Sequence, residues 1–479
     1  MPGDELVRFR MARVYIETFG CQMNEADSQY IAQRALSAGY SITAEPYDAS
    51  VIVLNTCTVR ENAERRAYGR MTHLGVLKAA NPQLKLIVTG CLAEQDRDRM
   101  QRRVPHVDAV FGTSELASLA EVLQTWRADF QDTEAGETQA LLQLGGQADC
   151  ITDVFSDLRA FVTVQRGCSY YCTFCIVPHV RGRFDHRPMG DILRDVNEKV
   201  CAGAREIMLV GQTVNSYRDP SGADFGTLVK TVGAVEGLER LSFISPHPKD
   251  FNEKVVRDLA AVPQLNPRLH LPLQSASDPV LRRMNRKYTL AQYEEKLVLF
   301  REHLPHWAIT TDIIVGFPGE TDDDFERTLR FCERAQFAQA FMFRYSPRRG
   351  TPAANWEQVP AEVSAERFQR LADVQNAATL HYHEKKVGTT VRALIVGPSK
   401  KDPAKLAAKT TDNVTVIAAK PQDFDTARYA ATPWLDVEVH GAHVWGCDGT
   451  IVRRAARHDD GGIPVRAPVV DLIRTAQAS

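Results

Sequence analysis

The sequence predicts an α/β protein with an N-terminal parallel α/β domain, a partial (βα)6 barrel and a small C-terminal antiparallel β-barrel. From residue 13 to about residue 385, short apolar runs alternate with longer stretches of 3.6-residue periodicity, which is typical of βα units on a parallel sheet. A polar stretch rich in Gln, Gly and Glu interrupts this rhythm between residues 131 and 150. After residue 387 the pattern changes to short β-like segments joined by turns, which indicates the small barrel.

Length and composition indicate a globular protein of about three domains, because 479 residues with 44% apolar side chains are ample for buried cores. No apolar run approaches the roughly 20 residues that span a bilayer, and the first residues lack the features of a secretory signal. We therefore expect a cytoplasmic protein with no membrane partner, whose ten cysteines are ligands or buried thiols rather than disulfides. The net charge of -2 means that any RNA contact must come from a local basic patch.

The N-terminal domain, predicted over residues 12–128, has strand candidates at residues 14–19, 51–54, 84–88 and 107–111, each followed by a helical pattern. Cys21, Cys57 and Cys91 each lie within about three residues of the end of one of the first three strands. Ligands of open α/β sheets bind outside the carboxyl ends of the strands, so the three thiols are expected to converge on one cluster site. A buried small hydrophobe is the alternative for each cysteine taken alone. Residues 129–153 are predicted to be a linker, with Cys150 in or beside it.

The middle domain, predicted over residues 154–385, resumes the βα rhythm. Its strand candidates are residues 161–165, 206–210, 240–244, 268–271, 309–315 and 339–345. Chemistry in such barrels lies on the loops that follow the strands, and glycine and polar residues fill these loops here. The candidates for ligand contact are Gly211, Gln212, Asn215, Ser245 and Gln274. Ordinary turn chemistry is the alternative for any single loop, and Cys201 and Cys332 are expected to be packing thiols.

The loop after the first of these strands carries Arg166-Gly-Cys168-Ser-Tyr-Tyr-Cys172-Thr-Phe-Cys175, with three cysteines in eight residues. A loop this short can place thiolates on three irons of a 4Fe-4S cluster and leave the fourth iron open to substrate. The alternative is a structural zinc site with a fourth ligand such as His179. Zinc sites usually bring cysteines in Cys-x-x-Cys pairs, and no second pair is evident, so an open cluster is favoured.

The C-terminal domain, predicted over residues 387–455 and followed by a tail at 456–479, has β-like segments at residues 391–396, 414–417, 435–439 and 444–452. Four lysines crowd one connection, and arginines on the strands add positive charge. These residues are Lys400, Lys401, Lys405, Lys409, Arg392, Arg453 and Arg454. They are candidates for contact with an RNA phosphate backbone, with an ordinary solvated surface as the alternative.

Together these regions resemble the radical S-adenosylmethionine (SAM) methylthiotransferases across nearly the whole chain. The three domains are similar to that family's cluster-binding domain, radical SAM domain and TRAM RNA-binding domain. The motifs similar to the branch that acts on isopentenylated tRNA adenosine are Gly20-Cys-Gln-Met-Asn24 with Asp27-Ser28, Cys172-Thr-Phe-Cys-Ile-Val-Pro178, Leu271-Pro-Leu-Gln-Ser275, Asp312-Ile-Ile-Val-Gly-Phe-Pro-Gly-Glu-Thr321 and Gly397-Pro-Ser-Lys-Lys401. One segment departs from the pattern: Phe184 and His186 stand where the family typically has an acidic residue and a serine, whereas Arg181 and Arg187 match.

The resemblance implies an enzyme that places sulfur and then a methyl group on C2 of N6-isopentenyladenosine beside the anticodon of tRNA. It implies two 4Fe-4S clusters, one on Cys168, Cys172 and Cys175 and one on Cys21, Cys57 and Cys91. It also implies two SAM molecules per turnover, a radical source and a methyl donor, contacted by the strand-end residues named above. The implied partners are a tRNA anticodon loop, an electron donor such as flavodoxin or ferredoxin, and a sulfur donor that the sequence does not identify.

Two alternatives stay open. One is a methylthiotransferase that acts on another tRNA adenosine or on a ribosomal protein. The other is a non-catalytic, metal-stabilised RNA-binding protein in which both cysteine sets serve structure.

Overall fold

The computed structural model describes residues 12–58, 61–130, 158–422, 424, 429, 433–454 and 474–476. Most of the predicted linker, with Cys150, and most of the predicted tail lie outside these residues. The chain forms two compact units. The N-terminal unit comprises Met1–Thr152, Ile176–Gly182 and Leu472–Ser479, and the barrel unit comprises Asp153–Cys175 and Arg183–Asp471. None of the helices in the described part of the chain has the length and apolar character that crossing a membrane requires.

The N-terminal unit is built on a parallel sheet with helices between the strands. Its elements as far as residue 130 are β1 (Arg13–Phe19), α1 (Gln22–Ser37), β2 (Ser41–Ile42), a 3-10 helix (Pro46–Asp48), β3 (Val51–Thr56), α2 (Glu61–Ala80), β4 (Lys85–Gly90), α3 (Cys91–Arg103), β5 (Ala109–Phe111) and α4 (Leu116–Arg127). β1, β3, β4 and β5 are neighbours in that order, and β2 pairs with β1. The prediction of a parallel α/β domain is confirmed.

Successive side chains of each strand point to opposite faces of this sheet, and both faces are apolar. Ile52 and Leu54 pack with residues of α2 and α3, whereas Val51 and Val53 pack with residues of α1 and α4. All four side chains are fully buried. A sheet that helices cover on both faces needs such continuous apolar strands, and its rigid core fixes the positions of the strand ends.

The second set of elements lies between residues 158 and 385. These elements are β6 (Arg159–Thr163), β7 (Gln165–Arg166), α5 (Val177–Val180), β8 (Asp185–His186), α6 (Met189–Cys201), β9 (Glu206–Val210), a 3-10 helix (Val214–Ser216), α7 (Phe225–Gly233), β10 (Arg240–Phe243), a 3-10 helix (Pro248–Asp250), α8 (Glu253–Ala260), β11 (Arg268–His270), α9 (Asp278–Arg283), α10 (Leu290–His303), β12 (Ala308–Val315), α11 (Asp322–Ala335), β13 (Gln339–Arg344), a 3-10 helix (Pro352–Asn355) and α12 (Ala361–Glu384). α5 belongs to the N-terminal unit, where Val180 packs with Cys91.

The predicted partial barrel is confirmed, with an interruption in its hydrogen-bond ladder. β6, β9 and β10 form one parallel sheet, and β11, β12 and β13 form another. An isolated bridge between Leu241 and Leu265 connects β10 to the segment before β11. There the Leu241 N–H donates to the carbonyl of Gln264, and the Asn266 N–H donates to the carbonyl of Leu241, both at 2.8 Å. The connecting segment therefore takes the place that a longer β11 would fill.

The first predicted barrel strand, residues 161–165, ends earlier than expected. β6 stops at Thr163, and the two residues of β7 pair antiparallel with β8, with Gln165 opposite His186. This short ribbon sits directly before the cysteine loop. It turns the chain out of the barrel wall at the point where the three cysteines begin.

The C-terminal strands form a closed barrel within the barrel unit. They are β14 (Thr390–Pro398), β15 (Lys405–Thr410), β16 (Thr415–Ala419), β17 (Trp434–His443) and β18 (Gly446–Arg454), in the spatial order β14-β15-β16-β18-β17. The predicted small barrel is confirmed; β16 and β18 pair parallel and the other neighbours pair antiparallel. A last strand, β19 (Arg474–Ala476), pairs parallel with β1.

One part of the C-terminal prediction is wrong: Lys405 and Lys409 lie on β15 and not in a connection. Leu406, Ala408 and Thr410 alternate with them and are buried in the barrel. Alanine and lysine are poor strand formers, so the local sequence carries little strand character here. The segment is extended because it pairs with β14 on one side and with β16 on the other.

The turn between β15 and β16 packs against the barrel end at which the strands start. Arg240, the first residue of β10, donates from Nη2 to the carbonyl of Thr410 at 3.1 Å. Beside it, Trp434 Nε1 donates to the Glu239 carboxylate at 2.6 Å. The carboxyl ends of the strands, at the opposite end of the barrel, carry the cysteine loop and the polar loops.

Candidate active site

The N-terminal trio, Cys21, Cys57 and Cys91, follows three neighbouring strands. Cys21 precedes α1, Cys57 follows β3 directly, and Cys91 begins α3. The strands end together because residues Thr18, Asn55 and Thr89 are in register across β1, β3 and β4. The structure therefore brings the predicted cysteines to one edge of the sheet. Their role as cluster ligands stays a prediction.

Two glycines make this close approach possible. Gly20 has a φ of +129°, and a Cβ there would lie 2.6 Å from the Cβ of Cys57. Gly90 has a φ of +99°, and a Cβ there would lie 2.2 Å from the carbonyl oxygen of Thr56. No side chain fits at either position, and L-residues disfavour both backbone conformations. Gly20 therefore packs on the side chain of Cys57, and Gly90 packs on the backbone of Thr56.

The three cysteines of the N-terminal trio differ in their exposure to solvent. Cys57 and Cys91 are each 2% exposed, whereas Cys21 is exposed. Burial raises the pKa of the Cys91 thiol, and the positive charge of Arg181 opposes that rise. A guanidinium at this place favours the thiolate, which is the form that binds metal.

Arg181 is held by three side chains. Its Nε donates to Cys91 Sγ at 3.2 Å, and its Nη2 donates to Asp27 Oδ2 and Asn24 Oδ1, both at 3.0 Å. The side chains of Arg181 and Asp27 are 3% and 2% exposed. The Asn24 amide is itself fixed, because it donates to the carbonyls of Phe19 and Thr56. Burial alone lowers the pKa of Arg181, but Cys91, Asp27 and Cys21 together raise it above its ordinary value.

The loop trio, Cys168, Cys172 and Cys175, lies in the barrel unit after β7. Cys168 Sγ is 3.5 Å from the Thr213 hydroxyl, and Cys172 Sγ accepts a hydrogen bond from Arg286 Nη1 at 3.4 Å. Burial raises the pKa of the Cys168 thiol, and the bond with Thr213 opposes that rise. Cys172 is buried, while Cys168 and Cys175 are partly exposed.

The cysteine loop is anchored to the segment that follows α9. The Thr173 N–H donates to the Met284 carbonyl at 3.1 Å, and Asn285 Nδ2 donates to the Tyr171 carbonyl at 2.8 Å. Tyr171 and Asn285 both have positive φ, at 51° and 56°. Residues other than glycine rarely take this conformation, and it concentrates at binding sites where the surroundings enforce it.

The strand-end candidates divide into two groups. Ser245 and Gln274 have positive φ values of 56° and 70°, so two of the predicted contact residues are conformationally strained. Gly211 has no room for a side chain, since a Cβ there would lie 2.9 Å from Gln165 Oε1. Asn215 is fully buried, and its amide exchanges two hydrogen bonds with the backbone of His247, at 2.8 and 2.9 Å. Asn215 thus supports the next loop, and a direct ligand contact for it stays a prediction.

His247 is a residue that the sequence analysis did not select. Its ring is 4% exposed and stacks on Tyr170 with centroids 4.1 Å apart. Its Nδ1 accepts a hydrogen bond from the Lys249 N–H, so the ring proton is on Nε2, which has no partner among the described residues. Burial, with the charges of Arg286 and Lys249, holds the pKa of His247 well below its ordinary value. The ring is therefore neutral, and no described residue accepts a hydrogen bond from its Nε2–H.

The side chain of Gln212 carries a hydrogen-bond acceptor that complements the Nε2–H donor of His247. Its Oε1 is buried and, within the described residues, accepts no hydrogen bond. Buried polar atoms are nearly always satisfied, so a donor and an acceptor left open on neighbouring strand-end loops point to a polar ligand there.

Phe184 and His186, the two departures from the family pattern, lie in an aromatic row beside the cysteine loop. The Phe184 ring is edge-on to Tyr170 at 5.7 Å, and the His186 ring is edge-on to Tyr217 at 5.8 Å. Burial lowers the pKa of His186. Aromatic contacts thus hold both of these side chains.

The described residues contain no group of three or more His, Cys, Asp or Glu side chains arranged to hold a single metal ion. A zinc ion requires its ligands to converge on one point. The thiolates of a cubane bind different irons and are spaced more widely. The role of both trios as cluster ligands stays a prediction.

The predicted RNA-binding residues have different environments. Lys400, Lys401 and Lys405 are exposed, whereas Lys409 is partly buried and donates from Nζ to the Thr415 hydroxyl at 2.8 Å. Burial, together with nearby arginines of the barrel, lowers the pKa of Lys409 to about 8. Lys409 lies on the same face of β15 as the exposed Lys405 but is partly covered, and its role as an RNA contact stays a prediction. On β14, Arg392 shares the Asp436 carboxylate with Arg453.

Two family models match the chain. The model described as "Uncharacterized protein family UPF0004" matches residues 13–112. The model described as "Radical SAM superfamily" matches residues 162–332, which include the loop trio.

Curated relatives match over most of their length. The chain is 43% identical over 414 residues to the tRNA-2-methylthio-N(6)-dimethylallyladenosine synthase of Streptomyces coelicolor, which covers 85% of this chain and 81% of that protein. It is 39% identical over 475 residues to the protein of the same name from Mycobacteroides abscessus, covering 96% and 92%.

A solved structure has a similar fold. The radical S-adenosylmethionine methyltransferase TsrM from Kitasatospora setae, with tryptophan substrate and a SAM analogue bound, aligns with a TM-score of 0.51 at 14% identity. The alignment covers 71% of this chain and 75% of that one. At this identity the likeness concerns the fold alone.

Proposed function

The chain belongs to the family of the tRNA-2-methylthio-N(6)-dimethylallyladenosine synthases, which are radical SAM enzymes, and from this membership we propose that it methylthiolates C2 of N6-isopentenyladenosine beside the anticodon of tRNA. The proposed reaction uses two 4Fe-4S clusters and two SAM molecules per turnover, one as radical source and one as methyl donor. The observation that carries the proposal is the presence of two cysteine trios, each at strand ends of its own unit.

The N-terminal trio fits a cubane cluster on chemical grounds. Three thiols are suitable ligands for three irons, and they leave one iron for a further ligand. Arg181 Nη1 is buried and donates to nothing among the described residues, so a hydrogen-bond acceptor is missing beside Cys91. Cluster and thiolate sulfurs are acceptors of this kind.

The loop trio and the strand-end loops fit a second cluster with SAM. The open donor of His247 and the open acceptor of Gln212 suit a ligand that carries both a carboxylate and an ammonium group, as SAM does. Gly211 packs tightly against Gln165, and Ser245 and Gln274 hold strained conformations. We assign SAM contact to Gly211, Gln212, Ser245, Gln274 and His247, with Asn215 behind them.

The chemistry explains why cofactors are needed. The adenine C2–H bond is not usefully acidic, and acid–base side chains contribute only about 10² to 10⁴ in rate. When bound, the clusters and SAM supply the one-electron, radical and methyl-donor chemistry. The chain's own residues hold the thiolates: Arg286 donates to Cys172, Thr213 contacts Cys168, and Arg181 donates to Cys91.

The C-terminal barrel is proposed to contact the tRNA. Lys400, Lys401 and Lys405 are exposed on one connection and the start of the strand that follows it, where they are available to phosphate oxygens. Lys409, which is partly buried and donates to the Thr415 hydroxyl, is left out of this contact surface. Arg392 stays a candidate, and so does a flavodoxin or ferredoxin as the reductant.

The decisive experiment is anaerobic purification and reconstitution, followed by iron analysis and an assay of reductive SAM cleavage. The proposal expects about eight irons per chain, and tRNA from a strain without the gene should lack the methylthio group on isopentenyladenosine. About four irons in fully reconstituted protein, or an unchanged nucleoside profile in a strain with no second enzyme, would contradict it. Colourless, zinc-loaded protein would favour the non-catalytic RNA-binding alternative.

A further inference from the structure

Arg181 has a contact pattern that ordinary structural arginines do not need. Its guanidinium is buried at the edge of the N-terminal sheet and donates to a thiol, an amide oxygen and a carboxylate. A structural ion pair requires only the carboxylate. The Nε–H is given to Cys91 Sγ, a weak acceptor when protonated and a much stronger one as a thiolate.

The charges around Arg181 also indicate that its guanidinium interacts with the cysteines of the N-terminal trio. The contacts of its guanidinium include one carboxylate, that of Asp27, which neutralises it in the absence of any thiolate. Cys21 and Cys91 both interact electrostatically with the guanidinium. A cluster on three thiolates brings additional negative charge to this buried edge, and Arg181 is a cation in contact with one of these cysteines, Cys91.

The third nitrogen of the guanidinium adds an independent observation. Nη1 is buried, and among the residues that the structure describes it has no hydrogen-bond partner. Nε and Nη2 are both engaged, so the group cannot turn to satisfy Nη1 without losing Cys91 or Asp27. An acceptor that is not part of the described chain is therefore expected beside it.

The elements that hold Arg181 come from distant parts of the sequence. Asn24 and Asp27 lie on the same face of α1, one turn apart, and both accept from Nη2. Arg181 follows α5, whose Val180 packs with Cys91. The guanidinium is thereby fixed in direction as well as in position, which a flexible ammonium on a lysine stem would not be.

We propose that Arg181 is a positioning residue that sets the reduction potential of the N-terminal cluster through its hydrogen bond to Cys91. Potentials of iron–sulfur clusters depend on net charge and on hydrogen bonds to the sulfurs, and both terms from a buried guanidinium favour the reduced, more negative state. Arg181 therefore raises the potential of this cluster. The inference rests on the proposed N-terminal cluster and adds a residue that controls it.

The test uses the full-length chain with Cys168, Cys172 and Cys175 replaced by alanine, so that only the N-terminal cluster is reconstituted. Its midpoint potential is measured by a redox titration followed by electron paramagnetic resonance, with and without Arg181→Gln and Arg181→Lys. Arg181→Gln is expected to shift the potential downward by about 59 mV or more, a tenfold change in the one-electron equilibrium. Arg181→Lys keeps the charge and is expected to fall between the two.

Arg70→Gln is the matched control. Arg70 forms an ion pair with Glu17 at 2.7 Å in the same unit and is also largely shielded from solvent. It is expected to change the melting temperature but not the potential. A potential in Arg181→Gln equal to that of the parent, at full iron content, overturns the proposal.

The remaining outcomes are also decisive. If the parent with Arg181 intact binds no iron, the proposed N-terminal cluster fails, and the inference fails with it. Loss of iron in Arg181→Gln with an unchanged circular dichroism spectrum and melting temperature supports a role at the cluster. Loss of iron together with unfolding, combined with a parental potential in Arg181→Lys, assigns Arg181 a purely structural role.

Discussion

Cys172 accepts a hydrogen bond from Arg286, whose Nη1 lies 3.4 Å from the sulfur although 114 residues separate them in sequence. Arg286 is held in turn by Tyr288, whose hydroxyl accepts from Nε at 3.1 Å and lies 2.8 Å from the Leu273 carbonyl. The loop trio thus has a fixed cationic donor. A charge-assisted hydrogen bond of this kind contributes about 1.5–3 kcal/mol.

Arg286→Gln should lower the rate of reductive SAM cleavage by about tenfold or more, because it removes that donor from the sulfur of Cys172, a proposed cluster ligand. The measurement is 5′-deoxyadenosine release per cluster-bound iron. Arg282→Gln is the control, since Arg282 is exposed in the last turn of α9. Equal rates in both variants would show that the contact with Cys172 has no effect on the reaction.

The two cysteine trios should be separable by mutation. Cys172→Ala is expected to abolish SAM cleavage while the N-terminal unit stays folded, whereas Cys57→Ala is expected to spare cleavage and block sulfur insertion. Iron content, deoxyadenosine and the methylthio nucleoside report the three effects. Cys201→Ala, on the exposed end of α6, should change none of them. Equal loss of cleavage in Cys172→Ala and Cys57→Ala would contradict the division of labour.

His247→Phe should weaken SAM binding by about tenfold, because it keeps an aromatic ring against Tyr170 but removes the Nε2 donor. Equilibrium dialysis of SAM against the reconstituted protein measures this change. The melting temperature tests whether the stacked ring still packs. Unaltered SAM affinity at an unaltered melting temperature would exclude His247 as a contact.

Lys405 and Lys409 form a matched pair on one strand. Lys405→Met should weaken tRNA binding severalfold and reduce the slope of log Kd against log salt by about 1, because it removes one phosphate contact. Lys409→Met should leave both quantities unchanged, since Lys409 donates to Thr415. The idea of a lysine-rich contact surface fails if the two substitutions weaken binding equally.

Lys409 should also make stability depend on pH. Its folded-state pKa is lowered to about 8 by burial and by neighbouring arginines, so the unfolded chain binds a proton that the folded chain lacks between that pH and about 10.5. The free energy of unfolding of the parent therefore gains a contribution as pH rises through this window. Lys409→Met should be more stable by on the order of 2 kcal/mol at pH 7, and the gain should shrink toward pH 10. Denaturant unfolding at several pH values measures it; a gap independent of pH would refute this assignment.

Much of the fold follows from local pattern. The strand predicted at residues 206–210 coincides with β9, and the positions of the N-terminal cysteines were found because each follows an apolar run. β15 was missed because Lys, Ala and Thr supply no apolar run, and its conformation depends on closure of the barrel.

The residues that surround the cysteines were harder to find. Arg181 is 90 residues from Cys91, and Arg286 is 114 residues from Cys172, so no spacing rule connects them. Asn24 and Asp27 were noticed only as markers of a family branch, although polar residues at the start of a packed helix and one turn apart do suggest a shared partner. His247 follows a proline in a strand-end loop, where its burial depends on Tyr170 and cannot be inferred from its neighbours in sequence.

The contact between Arg240 and the Thr410 carbonyl means that the last barrel is not a detachable module. A shortened chain that ends before residue 387 would uncover a guanidinium that is now 2% exposed, together with the Glu206 carboxylate 3.7 Å away. Water would then reach the end of the (βα)6 barrel at which the strands start. Loss of activity in such a truncated protein would therefore report damage to the scaffold as well as loss of the proposed RNA contacts.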